Sequence, residues 1–246
     1  MSEAIIEFRQ IFKSFNDTPV LRGMDLVIRP AETVTIIGGS GIGKSVTLKL
    51  IVGLMKPEAG QVLIEGEDIV PLTEDQLIRV RKKIGMVFQS SALFDSLSVG
   101  ENIAYPLREH TSMSEQEIRE RVRETLSLVG LEGIEDKDPA ELSGGMRKRV
   151  ALARAIALVP RIILYDEPTT GLDPTNTEKI NELIVDTDEK LGVTSVVVTH
   201  DMRSAFKISD RIALLYQGKI AFTGTPREIE SSDLPLVRQF IAGTMS

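Results

Sequence analysis

The sequence predicts an α/β fold with a central parallel sheet, a small antiparallel sheet near the N-terminus and a helical insertion. Two apolar, β-branched runs at 162–165 and 193–199 are typical of parallel strands buried on both faces. Alternating apolar residues before position 30 predict the antiparallel strands. Helical patterns between about 90 and 158 predict the insertion. We therefore expect residues 1–246 to form one domain.

The antiparallel strands are predicted from alternation and turn residues. Apolar residues alternate over 6–8 and again over 26–28, and Asn16-Asp17 supplies a turn between them. Near the other end of the chain, Gln217-Gly218 separates two apolar runs and predicts a hairpin.

The segment after the first hairpin predicts a strand, a glycine loop and a helix. A short β-rich run at 34–37 leads straight into the loop at 38–45. Apolar residues at helical spacing then run from Val46 to Lys56-Pro57, where proline ends the pattern. This order places the loop at the carboxyl end of a strand and at the start of a helix.

Capping patterns predict two further helix starts. Thr73 with Gln76, and Ser114 with Glu117, have the spacing of a capping box. The second of these helices carries a regular apolar face and ends at Gly130. It forms part of the helical insertion.

The composition excludes several classes of function. The chain has 36 acidic and 29 basic residues and a formal net charge of −7, which disfavours a sequence-independent nucleic-acid-binding protein. It has no cysteine, which excludes disulfides, thiol catalysis and cysteine-ligated zinc, and its two histidines disfavour a histidine-rich metal site. No window approaches the ~20 apolar residues that span a bilayer, and the N-terminus lacks the pattern of a signal peptide. We expect a folded cytoplasmic protein.

The glycine loop has the sequence pattern of a phosphate-binding loop. Its residues are Gly38, Gly39, Ser40, Gly41, Ile42, Gly43, Lys44 and Ser45. Glycines let the backbone N–H groups and the helix N-terminus face an anion. Lys44 then reaches the β- and γ-phosphates, and the Ser45 hydroxyl ligates Mg²⁺. The alternative, a flexible glycine turn, does not explain the strand and helix on either side.

Two carboxylates end a predicted parallel strand. Asp166 and Glu167 directly follow the run at 162–165. The carboxyl ends of such strands lie beside the phosphate loop, so Asp166 can support Mg²⁺ and Glu167 can polarise an attacking water. Without the phosphate loop, a pair of solvated acids would be an equally good interpretation.

A second glycine-rich segment, 142–146, stands directly before a helical run at 147–158. A glycine-rich helix N-terminus is a phosphate site. Taken alone, the segment is better interpreted as an N-cap at Ser143 followed by loop glycines. Because the loop at 38–45 already binds phosphates, the residues leave open which nucleotide a second site would serve.

The motifs and their order resemble the ATP-binding subunits of ABC transporters over nearly the whole chain. The matching segments are the Walker A loop at 38–45, the Q-loop residue Gln89, the signature at 142–146, the Walker B strand at 162–167, the D-loop at 171–173 and the switch histidine His200. This resemblance implies a P-loop NTPase fold with a RecA-like parallel sheet, an N-terminal antiparallel β subdomain and a helical signature subdomain. It also implies an ATP hydrolase that uses ATP and Mg²⁺.

The resemblance implies a role for each motif residue. Catalytic roles fall to Lys44, Gln89, Ser143, Gly145, Glu167, Asp173 and His200. Residues 38–46 would bind the nucleotide, and Phe15 would stack on its adenine. The Mg²⁺ ligands would be Ser45, Gln89 and Asp166. Core packing is the alternative for Phe15, and a structural role after a strand is the alternative for His200. Val46 replaces a hydroxyl residue common in the family, which removes one side-chain contact to the α-phosphate.

The resemblance also implies partners. Two copies of the chain would close head to tail, with Ser143 and Gly145 of one copy contacting the ATP held by the other. An integral membrane permease would rest on the surface at 90–99, and Gln89 would link hydrolysis to that surface.

Several short segments narrow the resemblance to Mla-type, MCE-associated ATPases. They are Met146 in place of the more frequent glutamine, 88–94, 104–111 and 237–240. Such ATPases serve phospholipid transport in the Gram-negative envelope, and some are linked to resistance to organic solvents. The resemblance therefore implies an MCE-type lipid-binding partner and a peripheral location on the cytoplasmic face of the inner membrane.

Three alternatives stay open at this point. An ATPase of a polar-solute importer, for example for an amino acid, would share every catalytic motif. A soluble ABC protein acting on DNA or ribosomes would normally carry a coiled-coil insertion or two nucleotide domains, whereas this sequence has one Walker A loop. A plain P-loop kinase has no use for the signature or the D-loop.

Overall fold

The computed structural model describes residues 4–242, and the chain divides into two compact units. Of the described residues, the first unit comprises 4–80 and 194–242, and the second comprises 81–193. Residues 1–3 and 243–246, which the single-domain prediction also includes, lie outside the described residues.

The first unit contains the N-terminal strands, the glycine loop and the C-terminal segment. Its elements are β1 (Ile6–Phe15), β2 (Thr18–Ile28), β3 (Thr33–Ile37), α1 (Lys44–Ile51), β4 (Ala59–Ile64), β5 (Glu67–Asp68), α2 (Glu74–Arg81), β8 (Thr194–Val198), α7 (Met202–Ile208), β9 (Arg211–Tyr216), β10 (Lys219–Gly224), α8 (Pro226–Glu230) and α9 (Pro235–Ile241).

Two sheets organise this unit. β1 pairs antiparallel with β2 and with β4, and β4 pairs antiparallel with β5. In the other sheet, β3 lies between β8 and β9 and is parallel to both, while β10 pairs antiparallel with β9. The predicted turns at 16–17 and 217–218 join β1 to β2 and β9 to β10, with the left-handed backbone that such tight hairpins need. These predictions are confirmed.

An apolar cluster fixes the end of β3 and therefore the loop that follows it. Ile37 packs with buried residues of the C-terminal elements, namely Ala205, Ile212, Leu214, Ile229 and Val237. Burial of each of the larger side chains stabilises the fold by about 1.5–3 kcal/mol. The glycine loop therefore starts from a rigid position.

The second unit is mainly helical, with one parallel strand pair. Its elements are β6 (Ile84–Val87), α3 (Val99–His110), α4 (Glu115–Leu128), α5 (Gly144–Ile156), β7 (Ile162–Asp166) and α6 (Pro174–Leu191). β6 and β7 are parallel neighbours, with Val87 opposite Tyr165. Ser98 and Ser114 each form a capping box at the start of α3 and α4, of which the sequence predicts the second. The predicted α/β fold class, with antiparallel and helical parts, is confirmed.

The structure differs from the predictions at two helix ends. The helix predicted to reach Lys56 ends at Ile51, because Gly53 takes a left-handed φ of +64° that stops the helix. Leu54 is consequently 57% exposed and lies outside the buried helix face. The helix predicted to begin at 147 begins at Gly144, so the glycines after Ser143 belong to the helix and not to a loop.

Candidate active site

The glycine loop requires glycine at specific positions. Gly43 precedes α1 with a φ of +108°, and a Cβ there would lie 2.7 Å from Val20 Cγ1. Gly41 has a φ of +76° and no heavy atom within 4 Å of the position of a Cβ. The positive φ at both positions and the close approach of Val20 to Gly43 explain why the loop needs glycine there.

Lys44 folds back over the loop. Its Nζ donates hydrogen bonds to the carbonyl oxygens of Gly38 and Gly39, each at 2.9 Å. The side chain is 8% exposed, so a buried ammonium is held by main-chain oxygens at the mouth of the loop. Phosphate oxygens can replace these carbonyls as partners, because the lysine is a flexible cation with three donors.

The first turn of α1 presents Ser45 and Val46, both half-buried. Thr47, the next residue, is fully buried, and its Oγ1 donates to the carbonyl oxygen of Gly43 at 3.1 Å. The Thr47 hydroxyl therefore stabilises the helix and does not replace the hydroxyl that Val46 lacks. The sequence prediction of one missing contact at position 46 stays a prediction.

Phe15 and His200 complete the predicted residues of the first unit. Phe15 ends β1, is 39% exposed and has Lys13 Nζ at 5.4 Å from its ring centroid, which is not the environment of a core phenylalanine. His200 is exposed and follows β8. Since β8 and β3 are parallel neighbours, His200 and the glycine loop lie at the same edge of the sheet.

In the second unit, the two predicted carboxylates end β7. Asp166 is the last residue of the strand, and Glu167 follows it with a φ of +49°, a left-handed conformation that non-glycine residues rarely adopt. Thr170 stabilises this turn: its Oγ1 donates to Glu167 Oε2 at 3.2 Å, and its N–H donates to the Glu167 carbonyl at 3.3 Å. The turn holds the Glu167 carboxylate in one orientation.

Gln89 lies at the same sheet edge, because it follows β6, the parallel neighbour of β7. The buried ammonium of Lys148, on α5, donates to the carbonyl oxygen of Gln89 and, at 3.4 Å, to that of Glu167. Burial lowers the pKa of Lys148, and the negative charges of Asp166 and Glu167 oppose that shift. Lys148 is not among the site residues that the sequence motifs predict.

The second glycine-rich segment forms the N-terminus of α5. Ser143 is exposed and caps the helix by accepting a hydrogen bond from the Met146 N–H at 3.3 Å. A Cβ at Gly145 would lie 3.3 Å from Asn176 Oδ1. Helix α6 therefore passes directly beside the signature, and the capping role of Ser143 leaves its hydroxyl at the surface.

Asp173 caps α6 on the same side of the unit. Its carboxylate accepts hydrogen bonds from the N–H groups of Thr175 and Asn176 at 3.0 and 3.1 Å. Hydrogen bonds from Asn176, first from its backbone and then from its side chain, lower the pKa of Asp173. The D-loop residue is thus ionised and exposed next to the signature.

The segment after Gln89 presents an aromatic pair. Phe94 and Tyr105 have ring centroids 5.1 Å apart and are 45% and 46% exposed. Asn102, fully buried, accepts from the Phe94 N–H at 2.8 Å and donates to the carbonyls of Phe94, Leu97 and Ser98 at 3.0 to 3.1 Å. These bonds hold an exposed apolar surface on an otherwise irregular segment.

The residues fit ATP and Mg²⁺ by chemistry. The glycine loop offers a buried cation for phosphates. The predicted Mg²⁺ ligands Ser45, Gln89 and Asp166 offer a hydroxyl, an amide oxygen and a carboxylate, which are hard oxygen donors of the kind that Mg²⁺ prefers. Among residues 4–242, no group of three or more histidine, aspartate and glutamate side chains is arranged to hold a metal ion. Over the same residues, no helix is long and apolar enough to cross a membrane.

A phosphate-binding loop between a parallel strand and a helix, together with carboxylates at a parallel strand end, defines a P-loop ATPase. Comparison with known proteins narrows this class. The family model described as ABC transporter matches residues 21–170, and the chain belongs to that family. It is an ABC-type ATPase that binds ATP.

Relatives and solved structures agree with this membership. The Mycobacterium leprae protein named "Probable ribonucleotide transport ATP-binding protein mkl" is 43% identical over 97% of this chain and 69% of its own length. The Haemophilus influenzae protein named "Intermembrane phospholipid transport system ATP-binding protein MlaF" is 42% identical over 99% of this chain and 92% of its own length. The dimer of the ATP-binding cassette MJ0796 with ADP and Pi aligns with a TM-score of 0.82 at 37% identity, over 90% of this chain and 99% of that one.

Proposed function

We propose that this chain is the ATPase subunit of a membrane ABC transporter that moves phospholipid in the Gram-negative envelope. Residues 1–246 act as one ATPase domain, peripheral on the cytoplasmic face of the inner membrane. The cargo assignment rests on one observation, the 42% identity to the MlaF protein of Haemophilus influenzae over nearly the full length of both chains.

In the proposed hydrolysis, each motif residue has its own role toward the nucleotide. The backbone of 38–45 and the α1 N-terminus bind the phosphates, and Lys44 exchanges its two carbonyl partners for β- and γ-oxygens. Phe15 stacks on the adenine. Ser45, Gln89 and Asp166 would hold Mg²⁺, which would supply positive charge against the charge that develops on the phosphates. Glu167 polarises the attacking water, and His200 contacts the γ-phosphate.

The proposed active form is a head-to-tail dimer of two copies of this chain. The exposed Ser143 hydroxyl and the α5 N-terminus, with Gly145 in its first turn, supply donors to the nucleotide held by the partner. Asp173 lies beside this surface and orders the chain at the dimer contact. The ADP-bound MJ0796 cassette, which is dimeric, supports a dimeric active form.

The exposed Phe94–Tyr105 pair is the proposed contact for the permease. It is an apolar surface held by Asn102, and four residues of chain join its Phe94 to Gln89. Movement of Gln89 during hydrolysis therefore reaches the permease contact through a short, hydrogen-bonded segment. An MCE-type lipid-binding protein is the proposed further partner of the complex.

A second candidate cargo is a polar solute. The mycobacterial relative, whose printed name refers to ribonucleotide transport, is as similar to this chain as the MlaF protein is. Transport of either cargo would use the same ATPase site residues. They differ in the partner proteins and in what the permease holds.

Purification of the intact complex from membranes tests the cargo. Partners and bound small molecules are identified by mass spectrometry, and ATPase activity is measured in phospholipid vesicles and in detergent without lipid. A phospholipid transporter will bring an MCE-type protein and bound lipid, and its ATPase will respond to phospholipid. A soluble solute receptor with no MCE protein and no lipid would reject the lipid assignment in favour of the polar solute.

A further inference from the structure

Helix α5 carries two cations that bind main-chain oxygens of the site. Lys148 is 6% exposed and donates to the carbonyls of Gln89 and Glu167. Arg154, six residues further along the helix, donates to the carbonyls of Ser91 and Ala92 at 3.0 and 2.7 Å. One helix therefore holds both the turn after β7 and the segment after β6.

The carbonyls that these cations hold belong largely to residues with strained backbone. Glu167 has a φ of +49°, and Ser91 and Ala92 have φ of +65° and +46°. Side chains with a Cβ adopt this region only where the surrounding structure fixes it. Hydrogen bonds from a buried ammonium and a guanidinium contribute to fixing it here, beside the Thr170 bonds to Glu167, because charged donors form the stronger bonds.

We propose that Lys148 is a positioning residue for ATP hydrolysis. Its ammonium ties α5, whose N-terminus is the signature, to the backbone of Gln89 and of the general base Glu167. It thereby keeps the Glu167 carboxylate oriented toward the attacking water. The orientation of Glu167 consequently depends on the position of α5. The inference rests on the proposed ATPase roles of Gln89 and Glu167.

Sequence spacing supports a position for Lys148 on the inner face of α5. Gly145, Lys148, Leu152 and Ile156 are buried and recur at intervals of three and four residues along the helix. A lysine in such a stripe needs polar partners inside the fold. The two carbonyl oxygens supply them, and the charges of Asp166 and Glu167 favour a cation at that place.

The test replaces the ammonium and keeps the bulk of the side chain. Lys148→Met removes both hydrogen bonds, and Lys148→Arg restores a charged donor. Arg149→Gln is the matched control, since Arg149 is a half-buried cation on the same helix that bonds the carbonyls of Val129 and Gly130, away from the site. For each full-length variant, kcat and KM for ATP are measured by phosphate release, and thermal unfolding is followed by circular dichroism.

A positioning role predicts a loss in kcat and not in KM. We expect Lys148→Met to lower kcat by at least about tenfold, because small misplacements of a catalytic group are costly, with KM within about twofold of the parent. Lys148→Arg will recover part of kcat, and Arg149→Gln will stay within about twofold of the parent. In a Glu167→Gln background, Lys148→Met will still form the ATP-dependent dimer. This result separates a misplaced site in a folded chain from a chain that does not fold.

Other results overturn the proposal. The first is a kcat of Lys148→Met within twofold of the parent. The second is an equal loss of kcat in the methionine and arginine variants. The third is a variant that loses the ATP-dependent dimer together with its kcat. If Lys148→Met does not fold, Lys148→Gln takes its place under the same criteria. An inactive parent chain, or a parent whose activity survives Glu167→Gln, instead counts against the proposed ATPase site itself.

Discussion

Replacement of Lys44 by methionine tests the phosphate loop most directly. In the structure its Nζ donates to the Gly38 and Gly39 carbonyls at 2.9 Å, and the side chain is almost fully buried. Methionine keeps most of the side-chain length and removes the charge and both hydrogen bonds. The variant therefore probes what the ammonium contributes, first to the free loop and then to the bound phosphates.

The two carbonyls set the size of the effect on stability. Gly38 is buried, so loss of its charged donor costs about 1.5–3 kcal/mol, whereas the exposed Gly39 carbonyl regains water. Removal of a buried charge partly offsets that cost, because the ammonium no longer has to be desolvated. We expect the free energy of unfolding to fall by at most about 3 kcal/mol.

Loss of the ammonium also lowers the affinity for ATP. A charge-assisted contact to phosphate oxygens contributes about 1.5–3 kcal/mol, which corresponds to about a 10- to 150-fold rise in Kd. Isothermal titration with ATP measures this change, and urea unfolding monitors the fold. Lys56→Met is the matched control, because Lys56 Nζ donates to the Leu72 carbonyl at 3.0 Å, outside the loop. An ATP affinity as high in Lys44→Met as in Lys56→Met would refute the phosphate-loop assignment.

Three further predictions follow from the other site residues. Glu167→Gln will bind ATP, accumulate as a dimer on gel filtration and release no phosphate; rapid turnover would instead indicate another base, with His200 the first to test. Ser143→Arg will leave ATP binding by the monomer nearly unchanged and will stop hydrolysis. The specific ATPase activity of the native protein will rise with protein concentration, and a specific activity independent of concentration would contradict the dimer. Asp173→Ala will melt below the native protein at pH 7. The gap will narrow progressively as the pH falls below about 4, since the stabilisation from a lowered carboxylate pKa is complete above the ordinary value and is lost as the pH falls through the lowered one; a gap as wide in acid as at pH 7 would contradict the capping role.

The loop at 38–45 could be predicted because its physics is local. Glycine spacing, a lysine and a hydroxyl residue suffice to specify an anion site when a strand precedes them and a helix follows. The structure has that strand and that helix, and the positive φ values of Gly41 and Gly43 are those that only glycine tolerates well. No long-range contact was needed for this prediction.

The end of α1 could not be predicted with the same accuracy. Leu54 continues the helical spacing of apolar residues, and Pro57 is the first residue that stops a helix by itself. Gly53 ends the helix earlier because its left-handed backbone lets the N–H of Leu54 and of Met55 bond the carbonyl of Lys49, at 2.9 and 3.2 Å. A glycine inside an apolar pattern is tolerated in many helices, so its presence alone does not fix the boundary.

The position of Lys148 on α5 could be predicted from the sequence, but its hydrogen-bond partners could not. Its place in the buried stripe of α5 is visible in the sequence as a cation three residues after Gly145 and four before Leu152. Which oxygens would accept its hydrogen bonds was not visible, because Gln89 and Glu167 lie 59 and 19 residues away along the chain. A charge on the apolar face of a helix that begins with a phosphate-binding pattern therefore predicts a polar partner in the site, while the identity of that partner depends on tertiary structure.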